Sequence, residues 1–504
     1  MSAKEDYQEL EKRARELGLI GASYALLEWD HQVNMPPKSA ETRAEMTSYL
    51  AGMMHEKFVD PKVGELISSV ESSDLVKDPE SIIAANIREL RHQYDKETKL
   101  PKELVEEFEK TTALAHGIWA EARKNNDFKT FEPALKKIVD LTKQKAEAYG
   151  YEGEPYNALL DNYEPGATTA EVADVFEKLR VELVELLAKI KDAPNQPDGS
   201  IIERPYDVKN QQIFGELVAK TMGYDFDEGR LDIATHPFTT AFGPGDTRIT
   251  TRYNPNRLND ALFGTIHEAG HALYEMGLKK KENFGMPVGD SASLGIHESQ
   301  SRMWENMVGR SKPFWNYFFP IAQSMFRESL GHVSFDEFYA AVNYVAPSYI
   351  RVEADEVTYN LHILLRFEME RAILNGDIKI ADVPGEWNSR FEKYFGIKVD
   401  NDANGCLQDV HWSAGLMGYF PTYTLGNIYA AQFYAQANKD IPDLEQRVER
   451  GDLLTLREWL RENIHQHGQR YRANDLCKRI TGEGLSHKPM MDYMNKKFAE
   501  VYGY

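Results

Sequence analysis

The sequence predicts a mainly α-helical fold with a small β-sheet or hairpin set just ahead of one buried helix. Three observations carry this. Through most of the 504 residues, apolar positions recur three and four apart among Glu, Lys and Arg. One stretch, Leu231 to Tyr253, is instead rich in Thr and aromatics in near-alternation around a Gly-Pro-Gly-Asp turn. Beyond Asn254 the helical spacing returns and runs almost to the C-terminus.

From Tyr7 to about Lys191 the pattern is helical, as in LVEEFEKTTALAHGIWAEARK. Pro and Gly interrupt it at Met35-Pro36-Pro37, where Trp29-Asp30 and the prolines fix a helix end, and again at Gly150 to Pro155. The polar run Asp192 to Pro205 reads as a long surface loop, and a domain boundary there is admissible but unforced. HPFTTAF and TRITTRY, on either side of the Gly-Pro-Gly-Asp turn, read as short strands. In the second helical half, loops are expected near Gly285 to Asp290, Asp382 to Glu386 and Asn401 to Gly405. The chain contains no internal repeat.

With 59 basic and 80 acidic side chains the net charge is −21, which repels nucleic acid phosphates and anionic lipid headgroups. Neither is an expected partner. The acidic excess is spread over amphipathic helices and is read as solvated surface. Cys406 and Cys477 allow one bridge at most, so a reducing compartment is expected. The opening MSAKEDYQELEKRARELG lacks the apolar stretch of a secretion signal, and no run approaches a bilayer span of roughly 18 apolar residues. Cytoplasmic residence is the resulting expectation.

The chemistry concentrates in Leu258 to Gly277, which contains His267-Glu268-Ala269-Gly270-His271. On a helix, positions i and i+4 project from one face, so two imidazoles can reach one cation. Glu268 is rotated about 100° from His267, close enough to serve as a general base without ligating. The alternative reading is two hydrogen-bonded core histidines. A catalytic metal of the zinc type takes three protein ligands and keeps one position open. Glu298, 298 − 271 = 27 residues after the second histidine on another helical stretch, is the preferred third ligand, with His297 and Glu305 as competitors. A cation so held acidifies a bound water, and Glu268 can take its proton.

These residues, followed by His297-Glu298-Ser299-Gln300-Ser301-Arg302, resemble the carboxypeptidase Taq family of metallocarboxypeptidases. The likeness extends to His236-Pro237-Phe238, Asp246-x-Arg248-x-Thr250, Ile350-Arg351-Val352-Glu353-Ala354-Asp355 and Gly405-Cys406-Leu407-Gln408-Asp409-Val410-His411-Trp412. The resemblance implies a large helical metallopeptidase fold with a deep active-site cleft, commonly assembled as a homodimer. It also implies release of single C-terminal residues from peptides. Residues 1–504 would form one metallocarboxypeptidase domain, or two helical subdomains flanking the cleft and dividing near residues 192–205. Position by position, His267, His271 and Glu298 would hold one divalent metal, Zn2+ by preference with Co2+ as the alternative, and Glu268 would be catalytic.

A peptide with a free C-terminus presents a carboxylate, which the guanidinium fork of Arg matches. Arg351 and Arg248 are the candidates, although each has an acid in reach: Asp355 at i+4 for Arg351 and Asp246 for Arg248. For the oxyanion, helical zinc peptidases similar to this chain supply a His and a Tyr from a late segment. Here these are His411 and Tyr423, with Tyr419 not separable from Tyr423. Asp409 or Asp355 could orient a ligating imidazole, cap a helix or pair with an arginine. His465 and His467, two apart, are read as packing or surface groups, and Cys406 as a small buried neighbour. Two rival functions remain. A zinc endo-oligopeptidase would share the metal residues but cleave internal bonds. A non-catalytic helical peptide-binding or scaffold protein would bind metal without chelator-sensitive hydrolysis.

Overall fold

A computed structural model describes residues 2–504. The chain is mainly helical with a single three-stranded sheet among the described residues. It divides into two compact units, each built from three stretches. The first takes residues up to Glu97, Asp198–Val342 and Ala430–Gly484; the second takes Thr98–Pro197, Asn343–Tyr429 and Leu485–Tyr504.

The first unit opens with a helix over Ala3–Val33, started by a capping box in which the Ser2 hydroxyl accepts from Glu5 N–H and the Glu5 side chain takes Ser2 N–H. It ends as the prolines require: Asn34 N–H bonds Asp30 C=O at 2.9 Å and Pro36-Pro37 follow. Its apolar face packs Tyr7, Leu10 and Ala14 onto Val63, Leu66, Ile67 and Val70 of helix Pro61–Glu71. Burying side chains of this size contributes about 1.5–3 kcal/mol each. Trp29 is buried, with the guanidinium of Arg248 4.4 Å from its ring centroid.

The sheet comprises β1 (Leu231–Ile233), β2 (Thr239–Gly243) and β3 (Asp246–Thr251) in the order β1-β3-β2. β2 and β3 form the hairpin expected around Gly243-Pro244-Gly245-Asp246, and β1 adds a parallel pair to β3. Thr251 on β3 donates to the Ala261 carbonyl at 3.2 Å, which ties the sheet to helix Leu258–Gly277. Leu258, Ala261, Leu262, Ile266, Ala269 and Leu273 of that helix are buried.

In the second unit, helix Thr358–Asn375 is buried along most of its length. Two of its buried charged groups are paired. Glu370 accepts from Tyr156 Oη at 2.7 Å, Trp412 Nε1 at 2.9 Å and Gly418 N at 3.1 Å. Arg366 donates to Asp409 at 2.6 Å. One loop expectation fails here: Val383–Phe395 is a helix, so Asp382 to Glu386 is largely its first turn. Pro384 is tolerated there because a first-turn N–H needs no intrahelical acceptor. Among the described residues no helix is long and apolar enough to cross a membrane.

Candidate metal centre and active-site residues

His267 and His271 stand one turn apart on helix Leu258–Gly277, with ring centroids 4.8 Å apart. Helix Leu294–Arg302, capped by Ser293, lies close against them because residue 270 is glycine. A Cβ at that position would fall 2.7 Å from Ser301 Cα and 2.8 Å from the Gln300 carbonyl. The close approach delivers Glu298, whose Oε2 sits 3.6 Å from His267 Nε2 and 3.3 Å from His271 Nε2. One ligand atom from each of the three residues lies within 4.8 Å of the others, an arrangement that could hold a metal ion. The donor set, two imidazoles and a carboxylate, is of the catalytic zinc type.

The two competitors for third ligand occupy other posts. Glu305 Oε2 accepts from His267 Nδ1 at 2.9 Å, behind the ring rather than in front of it. Glu305 lies in a π-helical stretch, Met303–Val308, that continues helix Leu294–Arg302. The wider turn rotates Glu305 away from the α-helical line of Glu298. His297 meets the rear of the His271 ring, Nδ1 to Nδ1 at 2.5 Å, and its own Nε2 lies 2.8 Å from Glu275 Oε1. Glu275, absent from the sequence reading, also takes the Lys280 ammonium. Neither Asp409 nor Asp355 orients these imidazoles: Asp409 is claimed by Arg351 and Arg366, and Asp355 caps helix Thr358–Asn375 through Val357 N and Thr358 N.

Electrostatics follow this wiring. Burial works against the charge of Glu298, but Arg302 and the two imidazoles outweigh it and hold the carboxyl well below the usual range. Arg302 Nε donates to Glu298 Oε1 at 2.7 Å, leaving Oε2 to face the rings. Burial, then the field of His297, pushes His271 down to about 3, which leaves its ring neutral, the form that metal binding would require. For His267 burial is likewise the largest influence, yet Glu298 and Glu305 together raise it.

Glu268 is 6% exposed, and burial raises its carboxyl above the usual range. The Thr239 hydroxyl, at the start of β2, lies 2.7 Å from Glu268 Oε2 and holds it. A raised pKa suits a group that must accept a proton and then give it up. A cavity of about 420 Å³ opens on the His297–Glu275 side, bordered by β2 from Thr239 to Gly243, Glu275, Lys280, Phe284 and His297.

In the second unit His411 Nε2 and Tyr423 Oη lie 3.3 Å apart, and the His411 ring stacks on Phe420 at 4.3 Å. Burial pushes His411 down to about 4, so it is neutral near pH 7. Tyr419 packs edge-on against Tyr163 and Tyr423, centroids 5.1 and 5.4 Å away. Both candidate arginines hold acids. Arg248 grips Asp246 through two bonds of 2.8 Å. Arg351 does not pair with Asp355; it reaches Asp409 at 2.9 Å, with Tyr359 Oη at 3.2 Å. His465 is buried, 2.9 Å from Gln300 Oε1, as a packing group.

A helical chain that brings a His-x-x-x-His pair and a downstream Glu together, with a buried Glu beside them, has the frame of a metallopeptidase. A family model described as carboxypeptidase Taq (M32) metallopeptidase matches residues 9–498, and the chain belongs to that family. It is 46% identical over its full length to thermostable carboxypeptidase 1 of Thermus thermophilus, also covered in full. It is 37% identical to carboxypeptidase 1 of Bacillus subtilis, over 95% of each. The M32 carboxypeptidase structure from Deinococcus radiodurans superposes with a TM-score of 0.95 at 40% identity, over 99% of this chain and all of that one. The protein is therefore a metallocarboxypeptidase that acts on peptides and depends on a divalent metal.

Proposed function

We propose that His267, His271 and Glu298 hold a single zinc ion, and that the enzyme releases one C-terminal residue at a time from peptides with a free C-terminus. The observation that carries this is the convergence of three ligand atoms within 4.8 Å on a helix pair that also carries Glu268. When bound, the ion supplies Lewis-acid polarisation of the scissile carbonyl and acidifies water. Glu268, steadied by Thr239, takes the proton from the attacking water and passes it to the departing nitrogen as the C–N bond breaks. His411 and Tyr423 donate to the carbonyl oxygen as it gains negative charge.

The terminal carboxylate is assigned to Arg351 and Arg248. Each already holds an acid, so the substrate must share a guanidinium edge; side-chain exposures of 18% for Arg248 and 7% for Arg351 make the former more reachable. Zinc is preferred over cobalt because nothing in a two-imidazole, one-carboxylate set selects cobalt. The remaining parts of the proposal are that the whole chain acts as one catalytic domain, a homodimer, and a cytoplasmic enzyme, where its two buried free thiols stay reduced.

An N-blocked peptide and its C-terminal amide test the reading, with metal analysis before and after chelation. Single-residue release from the free acid alone, lost on chelation and restored by Zn2+, is expected. Equal cleavage of the amide would favour an endo-oligopeptidase, and sedimentation at working concentration decides the dimer.

A further inference from the structure

The two histidines proposed as ligands are secured in different ways, and the difference points to a positioning device. His267 has a carboxylate, Glu305, directly behind Nδ1 at 2.9 Å. His271 has another imidazole behind it: His297 Nδ1 at 2.5 Å, then Glu275 Oε1 2.8 Å from His297 Nε2, then Lys280 on the second Glu275 oxygen. The rings of His271 and His297 are 4.5 Å apart.

We infer that His297 and Glu275 form a relay that sets the tautomer and orientation of His271, so that its Nε2 lone pair faces the metal position. The direction of the bonds follows from the proposed ligand end. An imidazole that offers Nε2 to a metal keeps its proton on Nδ1, so His271 Nδ1 donates to His297 Nδ1 and leaves the Nε2 lone pair beside Glu298 Oε2. His297 then carries its own proton on Nε2 and donates it to Glu275 Oε1. Lys280 holds Glu275 in place from the other side. Partners behind ligating imidazoles commonly govern metal affinity by 10- to 100-fold.

The inference rests on the proposed ligand set, and the experiment separates the two. Dissociation constants for Zn2+ are measured by competition with a chromogenic chelator, and Co2+ absorption bands report coordination geometry. His271→Ala is the control for the ligand set: if it binds as tightly as the parent, the set itself is wrong. With the set sound, His297→Ala and Glu275→Ala are each expected to weaken Zn2+ binding about 10- to 100-fold and to shift the Co2+ bands. Because both act through one imidazole, the double variant should lose little more than either alone, whereas His297→Ala combined with Glu305→Ala should multiply the losses. His297→Gln, with an amide oxygen for His271 and an N–H for Glu275, should recover part of the affinity and the parent spectrum. It also serves if the alanine variant fails to fold. Binding within twofold of the parent in His297→Ala and Glu275→Ala, or multiplicative losses for His297 with Glu275, overturns the relay.

Discussion

Gly270→Ala exposes the geometric basis of the proposed metal centre to a single methyl group. A Cβ at 270 would stand 2.7 Å from Ser301 Cα, 2.8 Å from Gln300 O and 3.1 Å from Ser301 N, all backbone atoms. Ordinary carbon contacts need about 3.5–4.0 Å, so helix Leu294–Arg302 must retreat by roughly 1 Å. Two effects oppose each other. Alanine improves the helix by about 1 kcal/mol, while overpacking costs about 1–3 kcal/mol. The clash wins or ties, and net stability falls by up to about 2 kcal/mol. The larger effect is on function, because Glu298 rides on the displaced helix and metal bond lengths tolerate only about 0.2 Å. Zn2+ affinity should fall about 10- to 100-fold, equivalent to about 1.4–2.7 kcal/mol. Chelator competition gives the affinity, and thermal unfolding in chelator isolates the packing cost from the metal contribution. A variant that binds Zn2+ within twofold of the parent would refute the argument that the small residue at 270 holds the ligands together.

Other expectations test the remaining parts. Glu268→Gln should keep the metal but lower kcat by about 10²- to 10⁴-fold, read by metal analysis beside single-residue release. Tyr423→Phe should cost about 10²-fold in kcat with little change in KM if its hydroxyl serves the oxyanion; a change confined to KM counts against that role. Chelation should lower the unfolding free energy by about 3 kcal/mol for protein previously held with Zn2+ at 100 times its dissociation constant, and unchanged denaturant midpoints would contradict this. Glu370 supplies the pH test. Burial raises its carboxyl to about 7 despite three donors. A raised folded-state pKa means stability is fully present below the unfolded value near 4.5 and is lost as pH rises through about 7. Relative to Glu370→Gln, the parent should therefore weaken between pH 4.5 and 7 by up to about 3 kcal/mol, then level off. Urea unfolding of both proteins at pH 5 and pH 8 checks it, and a constant difference excludes the buried ionisation.

The parts of the site that were legible in the sequence are those built from local geometry. His267, Glu268 and His271 could be placed because a helix puts i and i+4 on one face whatever else the chain does. The β2–β3 hairpin was legible in the same way, from alternation on either side of a turn. Arg248 beside Asp246 is a contact two residues long. Arg351 illustrates the limit: Asp355 at i+4 was an available local partner, but Asp355 is spent on a helix cap and the arginine pairs with Asp409, 58 residues on. Glu275 gave no signal, since an acid on an amphipathic helix looks like solvated surface until His297 is set against it.

By itself, then, the sequence determined that the chain is helical, where its short sheet lies and which helix carries the histidine pair, because periodicity and turn chemistry act over a few residues. The sequence already preferred Glu298 as third ligand; only the tertiary structure decided that His297 and Glu305 stand behind the rings while Glu298 meets their front. That choice depends on the approach of two helices at Gly270 and on the π turn after Arg302, and helix separation is a packing quantity that no local spacing encodes.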